Sequence, residues 1–263
     1  MLNKYFALIR MKWVEMFEYR AESVIWILGA LTQPLVTLAV WLGVSDGGEI
    51  QGYSPNHFIL YFACLIFVER MTTAWDVWDL DREIRQGTFS FPLLRPLHPI
   101  HWGIAENIVY KVFFLSILLP IWIVAAFFIE PLRLALSPLE WVAFLIAVLF
   151  GLAIRFLMGW CVGLLGFWVS RVVAIYSVVE GISLFFSGRI APLSIMPPTI
   201  QKIGEILPFS YILYFPVEIL MGGVTLERLV TGMIGQVVWI GILYGVFHFL
   251  WKAGLKAYSA AGG

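Results

Sequence analysis

The chain is poor in charge and in the residues that do chemistry. Only 13% of its 263 residues are Asp, Glu, Lys or Arg, against 61% hydrophobic and 16% aromatic. An ordinary soluble domain carries about 25% charge. With a mean hydropathy of +0.89 there is too little polar surface to cover a water-soluble globule, which excludes a cytoplasmic enzyme, a secreted domain and a nucleic-acid binder. The two cysteines, Cys64 and Cys161, lie in apolar runs and offer neither a disulfide framework nor a CxxC metal site. No HExxH helix, GxSxG elbow or GxxxxGK[ST] phosphate loop occurs. The histidines 57, 98, 101 and 248 sit at span ends or in a loop, and Pro99 breaks the His98–His101 pair, so no metal site is expected. Basic and acidic residues number 17 each, so net charge identifies no partner.

What is present is long apolar runs. A helix needs about 20 mostly apolar residues to cross about 30 Å of hydrocarbon. The sequence predicts an all-α integral membrane protein of one domain over 1–263, with six spans at 24–44, 57–75, 105–129, 139–169, 173–187 and 226–251. Pro34 and Pro120 would kink the first and third; the fourth is long and the fifth short for a crossing. The runs are continuous rather than alternating, against a barrel. Before them, residues 1–22 place Leu2, Tyr5, Phe6, Ile9, Trp13, Met16 and Phe17 at helical spacing among charges, the pattern of an interfacial amphipathic helix; simple extension of the first span is the alternative.

Basic residues set the expected orientation. Lys4, Arg10, Lys12, Arg20, Arg82, Arg85, Arg95, Arg171, Lys252 and Lys256 fall on one side, and only Arg133, Arg189 and Lys202 on the other. Both termini and the loop 76–103 are therefore expected in the cytoplasm. That loop opens with six charged residues in twelve, Asp76 to Gly87, and Trp78, Leu80 and Ile84 make it a short helix that Gly87 stops. A solvated surface helix is one reading; the interleaving of charge with Leu80, Ile84, Phe89 and Leu94 suits docking into a partner's groove better. The segment 188–223 holds five of the thirteen prolines yet stays apolar, which predicts an outer cap or re-entrant hairpin with short helices at 199–207 and 211–221.

These segments carry a resemblance. The matching pieces are Glu18-Tyr19-Arg20-Ala21, Asp81-Arg82-Glu83-Ile84-Arg85-Gln86-Gly87, Leu93-Leu94-Arg95-Pro96, Arg155-Phe156-Leu157, Gly166-Phe167-Trp168, Leu207-Pro208-Phe209, Tyr214-Phe215-Pro216 and the ending Tyr258-Ser259-Ala260-Ala261-Gly262-Gly263. In that order, over essentially the whole chain, the sequence resembles the membrane permeases of type-2 ABC exporters, in particular a bacterial branch encoded beside an ATPase and often a second permease. The resemblance implies a non-catalytic inner-membrane subunit of an ATP-driven exporter. It implies ABC ATPase subunits as partners, which bind the ATP and Mg while this chain holds no cofactor, and a dimer with a second permease, identical or paralogous. It places the ATPase-coupling segment at Asp79, Asp81, Arg82, Glu83, Ile84, Arg85, Gly87 and Phe89. The cargo would be an amphiphilic, lipid-like or xenobiotic compound. A secondary transporter or channel is the alternative; against it, no inverted repeat relates the halves.

Ionisable groups at depth are costly and so are functional candidates. Arg155 lies mid-way along the fourth span, Glu180 mid-way along the fifth and Glu69 near the inner end of the second. Arg155 could pair with Glu180 or with Glu69, pinning helices, or take part in substrate binding. Lys111 is near enough the surface to snorkel. Gly159 with Gly163, and Gly241 with Gly245, form two GxxxG pairs that suit close helix packing. Phe62, Phe67, Tyr176, Phe185 and Phe186 lie on the second and fifth spans, either lining a pathway or facing lipid.

Overall fold

A computed structural model describes residues 2–18 and 20–258, with the side chains of 2, 3, 20–24, 26–28 and 30 excepted. Tyr19, the ending 259–263 and the side chain by which Leu2 would enter the amphipathic pattern lie outside what is described. Twelve α-helices run along the described chain: α1 Leu2–Glu18, α2 Arg20–Ser45, α3 Pro55–Thr72, α4 Asp76–Arg85, α5 Ser90–Leu93, α6 Ile100–Phe128, α7 Pro138–Leu164, α8 Val172–Phe186, α9 Pro198–Ile206, α10 Pro208–Ile212, α11 Tyr214–Met221 and α12 Leu226–Ala257.

The span count differs from expectation. Among the described residues four helical stretches are long and apolar enough to cross a membrane, not six: Pro55–Arg85, Ile100–Phe128, Pro138–Phe167 and Leu226–Ala257. Of the two other expected spans, the first is described as apolar over Leu31–Ser45, the later part of α2, and the fifth is the short apolar helix Val172–Phe186. At 1.5 Å per residue, the 15 residues of α8 reach about 22 Å, short of about 30 Å of hydrocarbon. The expected second span and the charged loop helix also meet in one stretch, Pro55–Arg85, parted where Thr73 turns to extended backbone (φ −59°, ψ 139°).

Local chemistry sets the helix ends. Ser54 accepts from the His57 N–H and the His57 ring accepts from the Ser54 N–H, a capping box ahead of Pro55. Ser137 and Glu140 repeat the device before α7, and Thr225 caps α12 by accepting from the Arg228 N–H. Leu207, held extended before Pro208, separates α9 from α10, so the proline-rich segment forms three short helices rather than the two expected.

α7 lies at the centre. α3, α11, α10 and α12 surround one half of it, burying Phe58, Phe62, Leu65, Phe144, Ile154, Phe215 and Ile219 in one cluster. α4 and the end of α12 cover the other half, where Leu80, Ile84, Phe89, Trp160, Leu164 and Phe247 form a second. Gln236 ties three helices at once, its Nε2 donating to the Ala147 and Tyr211 carbonyls. Of the four glycines in the two GxxxG pairs, Gly163 alone permits a close approach, and other close approaches lie at glycines outside those pairs. Gly159, Gly241 and Gly245 face open space, whereas a Cβ at Gly163 would meet Leu80 at 2.6 Å, at Gly232 Phe215 at 2.2 Å and at Gly235 Tyr211 at 2.3 Å. Gly163→Leu is therefore expected to cost about 1–3 kcal/mol by overpacking against α4, while Gly159→Ala is neutral or stabilising. Melting curves of the two variants in micelles check the contrast; equal effects would contradict the seating of α4 on Gly163.

α6 begins on a titratable contact. The Ile100 N–H donates to His98 Nδ1 at 3.2 Å, and the His98 ring lies 4.2 Å from that of Trp251. Burial lowers the His98 pKa below its ordinary 6.5, with the charges of His101 and His248 adding to it. The folded protein thus binds this proton less readily than the unfolded chain. Its stabilising contribution is fully present above pH 6.5 and is lost as pH falls through and below that value. Melting temperatures taken between pH 8 and 5.5 should fall toward acid, with a smaller fall in His98→Asn; identical slopes would reject the assignment.

Candidate functional site: a two-faced charged helix and a buried ion network

α4 has two unlike faces. Leu80 and Ile84 are buried against α7, and Asp81 is buried with them. Asp81 Oδ1 accepts the Val172 N–H at 3.2 Å, at the first residue of α8, and Oδ2 accepts from Arg85 Nη2 at 3.2 Å. A carboxylate there meets the positive end of the α8 dipole as well as an otherwise free N–H. The opposite face is exposed: Arg82 and Arg85 point outward, and Arg82 pairs with neighbouring Asp79. Glu83 is intermediate, its carbonyl accepting the Phe89 N–H.

The turn after α4 is tied to the chain's far end. Gly87 adopts φ +73°, open to glycine without strain, which stops the helix. Tyr258 Oη donates to the Gly87 carbonyl at 2.8 Å and accepts the Ser90 N–H at 3.1 Å. Phe89 is fully buried, its ring edge-on to those of Phe167, Trp251 and Tyr258. Of the residues expected to couple, then, Asp81, Ile84 and Phe89 fasten α4 to its own chain. Beyond them two large apolar side chains stand free, Phe91 at 63% and Leu94 at 84% exposure. Leu94 was visible in the sequence as part of the charge–apolar alternation; Phe91, between Ser90 and Pro92, carried no pattern of its own.

The deep charges assemble farther along α8. Arg155 Nη2 donates to both Glu180 oxygens at 3.1 Å. Glu69 does not meet Arg155. Arg189 stands between, Nη1 2.8 Å from Glu180 and Nη2 3.0 Å from Glu69, while Arg70 lies 3.8 Å from Glu69. The network joins α3, α7 and α8 to the segment after α8. Arg189 is buried, where the sequence reading set it in an outside loop. Its position follows from Gly188, whose φ of +88° turns the chain inward and whose carbonyl accepts from Tyr61 Oη at 2.7 Å. The sequence carried no direct signal of this, since Glu69 already has Arg70 as its chain neighbour.

The five aromatics do not converge. Phe62 is in the core, Tyr176 lies under α4 with its ring edge-on to Trp78, Phe185 faces outward at 52% exposure, and Phe186 packs on the core. Phe67 alone borders a cavity, between α3, α6 and α7. Lys111 borders it too, and it does not snorkel outward. Its ammonium turns inward to the Thr73 carbonyl and to Asn107 Oδ1 at 2.6 Å.

α1 packs along α6, with Lys12 between Glu106 (2.9 Å) and Glu15 (3.1 Å) and Tyr5 against His101. Burial works against the Lys12 charge, but Glu106 and then Glu15 outweigh it and hold its pKa above the ordinary 10.5. The first helix is thereby fastened to the α4 end of the bundle. Among the described residues no group of three or more His, Cys, Asp or Glu is arranged to hold a metal ion.

Comparison with curated proteins finds no match. The profile of the family described as "ABC-2 family transporter protein" matches residues 30–262, which takes in α3 to α12, both faces of α4 and the whole ion network. With four helices fit to cross a membrane, this multi-pass chain belongs to the ABC-2 transporter family and is a membrane-embedded permease component of such a transporter.

Proposed function

We propose that the chain is the membrane half of an ATP-driven exporter and that α4 with the turn after it is the lever a separate ATPase grips. The observation that carries this reading is the two-faced α4. Its inner side is held by Leu80, Ile84 and Asp81, and its outer side offers Arg82 and Arg85 beside the unpartnered Phe91 and Leu94. An apolar anchor ringed by arginine is the composition of a binding hot spot, and large exposed apolar groups at a membrane protein's polar end call for cover. Motion imposed there has a physical route inward. Asp81 holds the N-terminus of α8, and α8 carries Glu180, the carboxylate shared by Arg155 and Arg189.

The reading extends to the membrane side and the partners. Lys12, Arg82, Arg85, Arg95, Lys252 and Lys256 gather at the α4 end, and by the positive-inside rule that end is cytoplasmic, with both termini and in a bacterial inner membrane. A second permease, identical or paralogous, would complete the pathway. The cargo is an amphiphilic, lipid-like or xenobiotic compound. Purification of the tagged chain from native membranes tests the reading: a stoichiometric subunit with a phosphate-binding loop is expected, and its absence from an intact, transport-competent complex would overturn it.

A further inference from the structure

α12 is fastened at both ends and unbroken between them. At one end Tyr258, the residue after the helix, holds the turn that follows α4. Its hydroxyl donates to the Gly87 carbonyl at 2.8 Å and accepts the Ser90 N–H at 3.1 Å. The ring stands edge-on to Phe89 and Phe167, and Gly254 leaves the room Phe167 takes, since a Cβ there would meet that ring at 2.1 Å. At the other end α12 holds the three short helices that follow α8. Arg228 Nε lies 2.9 Å from Glu218 of α11, Gln236 Nε2 donates to the Tyr211 carbonyl of α10 at 2.8 Å, and Trp239 Nε1 donates to the Ile206 carbonyl of α9 at 3.0 Å. Gly232 and Gly235 seat Phe215 and Tyr211 from the same helices.

We propose that α12 is the rod that carries motion of the α4 turn to α9, α10 and α11, and that the Tyr258 hydroxyl is the positioning group by which it grips that turn. The inference rests on the reading of α4 as the segment an ATPase grips, and extends it to the far face of the membrane, where an exported cargo leaves. From Tyr258 to Trp239 the helix runs about 28 Å at 1.5 Å per residue, close to the thickness of the hydrocarbon. A helix holds its length through its own backbone bonds, so a displacement at one end is delivered at the other. The other routes are poorer. Extended backbone at Thr73 parts α3 from α4, Pro34 and Pro120 interrupt α2 and α6, and α8 stops after 15 residues. α7 runs as far, but α3, α4, α10, α11 and α12 enclose it. α12 has no proline, and Val230, Ile234, Val238 and Ile242 leave one side of it exposed, so it can shift against α7. Asp81 thus leads from α4 to α8 and the ion network, and Tyr258 leads from the next turn to the opposite face.

The test uses the purified complex in liposomes, with spin labels at Lys202→Cys on α9 and Glu130→Cys just past α6. Both positions are exposed, while Cys64 and Cys161 are buried and escape the label. With Tyr258 intact, the distance between the labels, read by pulsed dipolar spectroscopy, should shift between the nucleotide-free complex and the complex trapped with ATP and vanadate. Tyr258→Phe keeps the ring and loses both hydrogen bonds. The ATPase should stay attached and hydrolyse ATP in this variant, while the shift is lost and transport per ATP hydrolysed falls about tenfold, the bias that one net hydrogen bond supplies. Trp239→Phe, which removes the bond to Ile206 at the other end, should reduce the same shift and leave hydrolysis intact. No shift in the unaltered complex, a full shift in both variants, or release of the ATPase by Tyr258→Phe would each overturn the proposal. A complex of the unaltered chain that holds no ATPase would instead remove the reading on which it rests.

Discussion

Replacing Glu180 with leucine is expected to destabilise the protein by about 3–5 kcal/mol, the usual cost of leaving a buried charge without its partner. Arg155 has 8% of its side chain exposed and Glu180 is the carboxylate it pairs with. Arg189, the other guanidinium on Glu180, keeps Glu69. The converse change is milder: Arg155→Met leaves Glu180, 24% exposed, still paired to Arg189. The double variant Glu180→Leu with Arg155→Met removes both charges and should recover much of the loss, a coupling of about 0.5–3 kcal/mol in a double-mutant cycle. Unfolding in mixed micelles measures all four corners. Additive effects, or Arg155→Met costing as much as Glu180→Leu, would contradict a network centred on Glu180.

The second large effect is expected at the lever. Leu94→Asp with Arg85→Glu should weaken ATPase attachment by about thirtyfold, the loss of a hot-spot contact of about 2 kcal/mol. Leu94 faces outward, so its change should leave the chain's own stability intact, whereas Arg85→Glu sets a carboxylate beside Asp81 and should lower stability modestly, which melting of Arg85→Glu alone measures. Asp81→Ala should act differently. It removes the acceptor at the α8 N-terminus, so the ATPase stays bound while hydrolysis no longer drives transport. The pair Glu83→Ala with Arg85→Ala falls between, since Glu83 is half-buried and Arg85 exposed. Co-purification separates attachment from coupling, and ATPase activity in liposomes with and without cargo reads the second. Unaltered attachment and transport in Leu94→Asp/Arg85→Glu would remove α4 from the mechanism.

Parts of this arrangement were legible in the residues. The helix over Asp76–Arg85, its stop at Gly87 and the proline-started helices after Pro198 follow from local rules of spacing and capping, which act over a few residues. The number of spans was legible only in part: the run 173–187 already reads as short for a crossing, and α8, with 15 residues, is no longer than that run. The division of labour within α4 was not legible. Asp79, Asp81, Arg82, Glu83 and Arg85 read alike in sequence, and their roles separate only once Gly163 seats Leu80 and Val172 presents its N–H to Asp81.

By itself, then, the sequence determined that this chain is helical, lives in a membrane and presents a dense patch of charge at one end, since those are consequences of composition and short-range periodicity. The tertiary structure decided which charges meet. Arg189, 120 residues from Glu69 in the chain, bonds to it within 3.0 Å, and Lys111 turns inward to the Thr73 carbonyl on another helix's end. Such pairings depend on how helices pack across long stretches of chain. In a low-dielectric interior a buried charge must find a partner wherever packing supplies one, and no local spacing records where that will be.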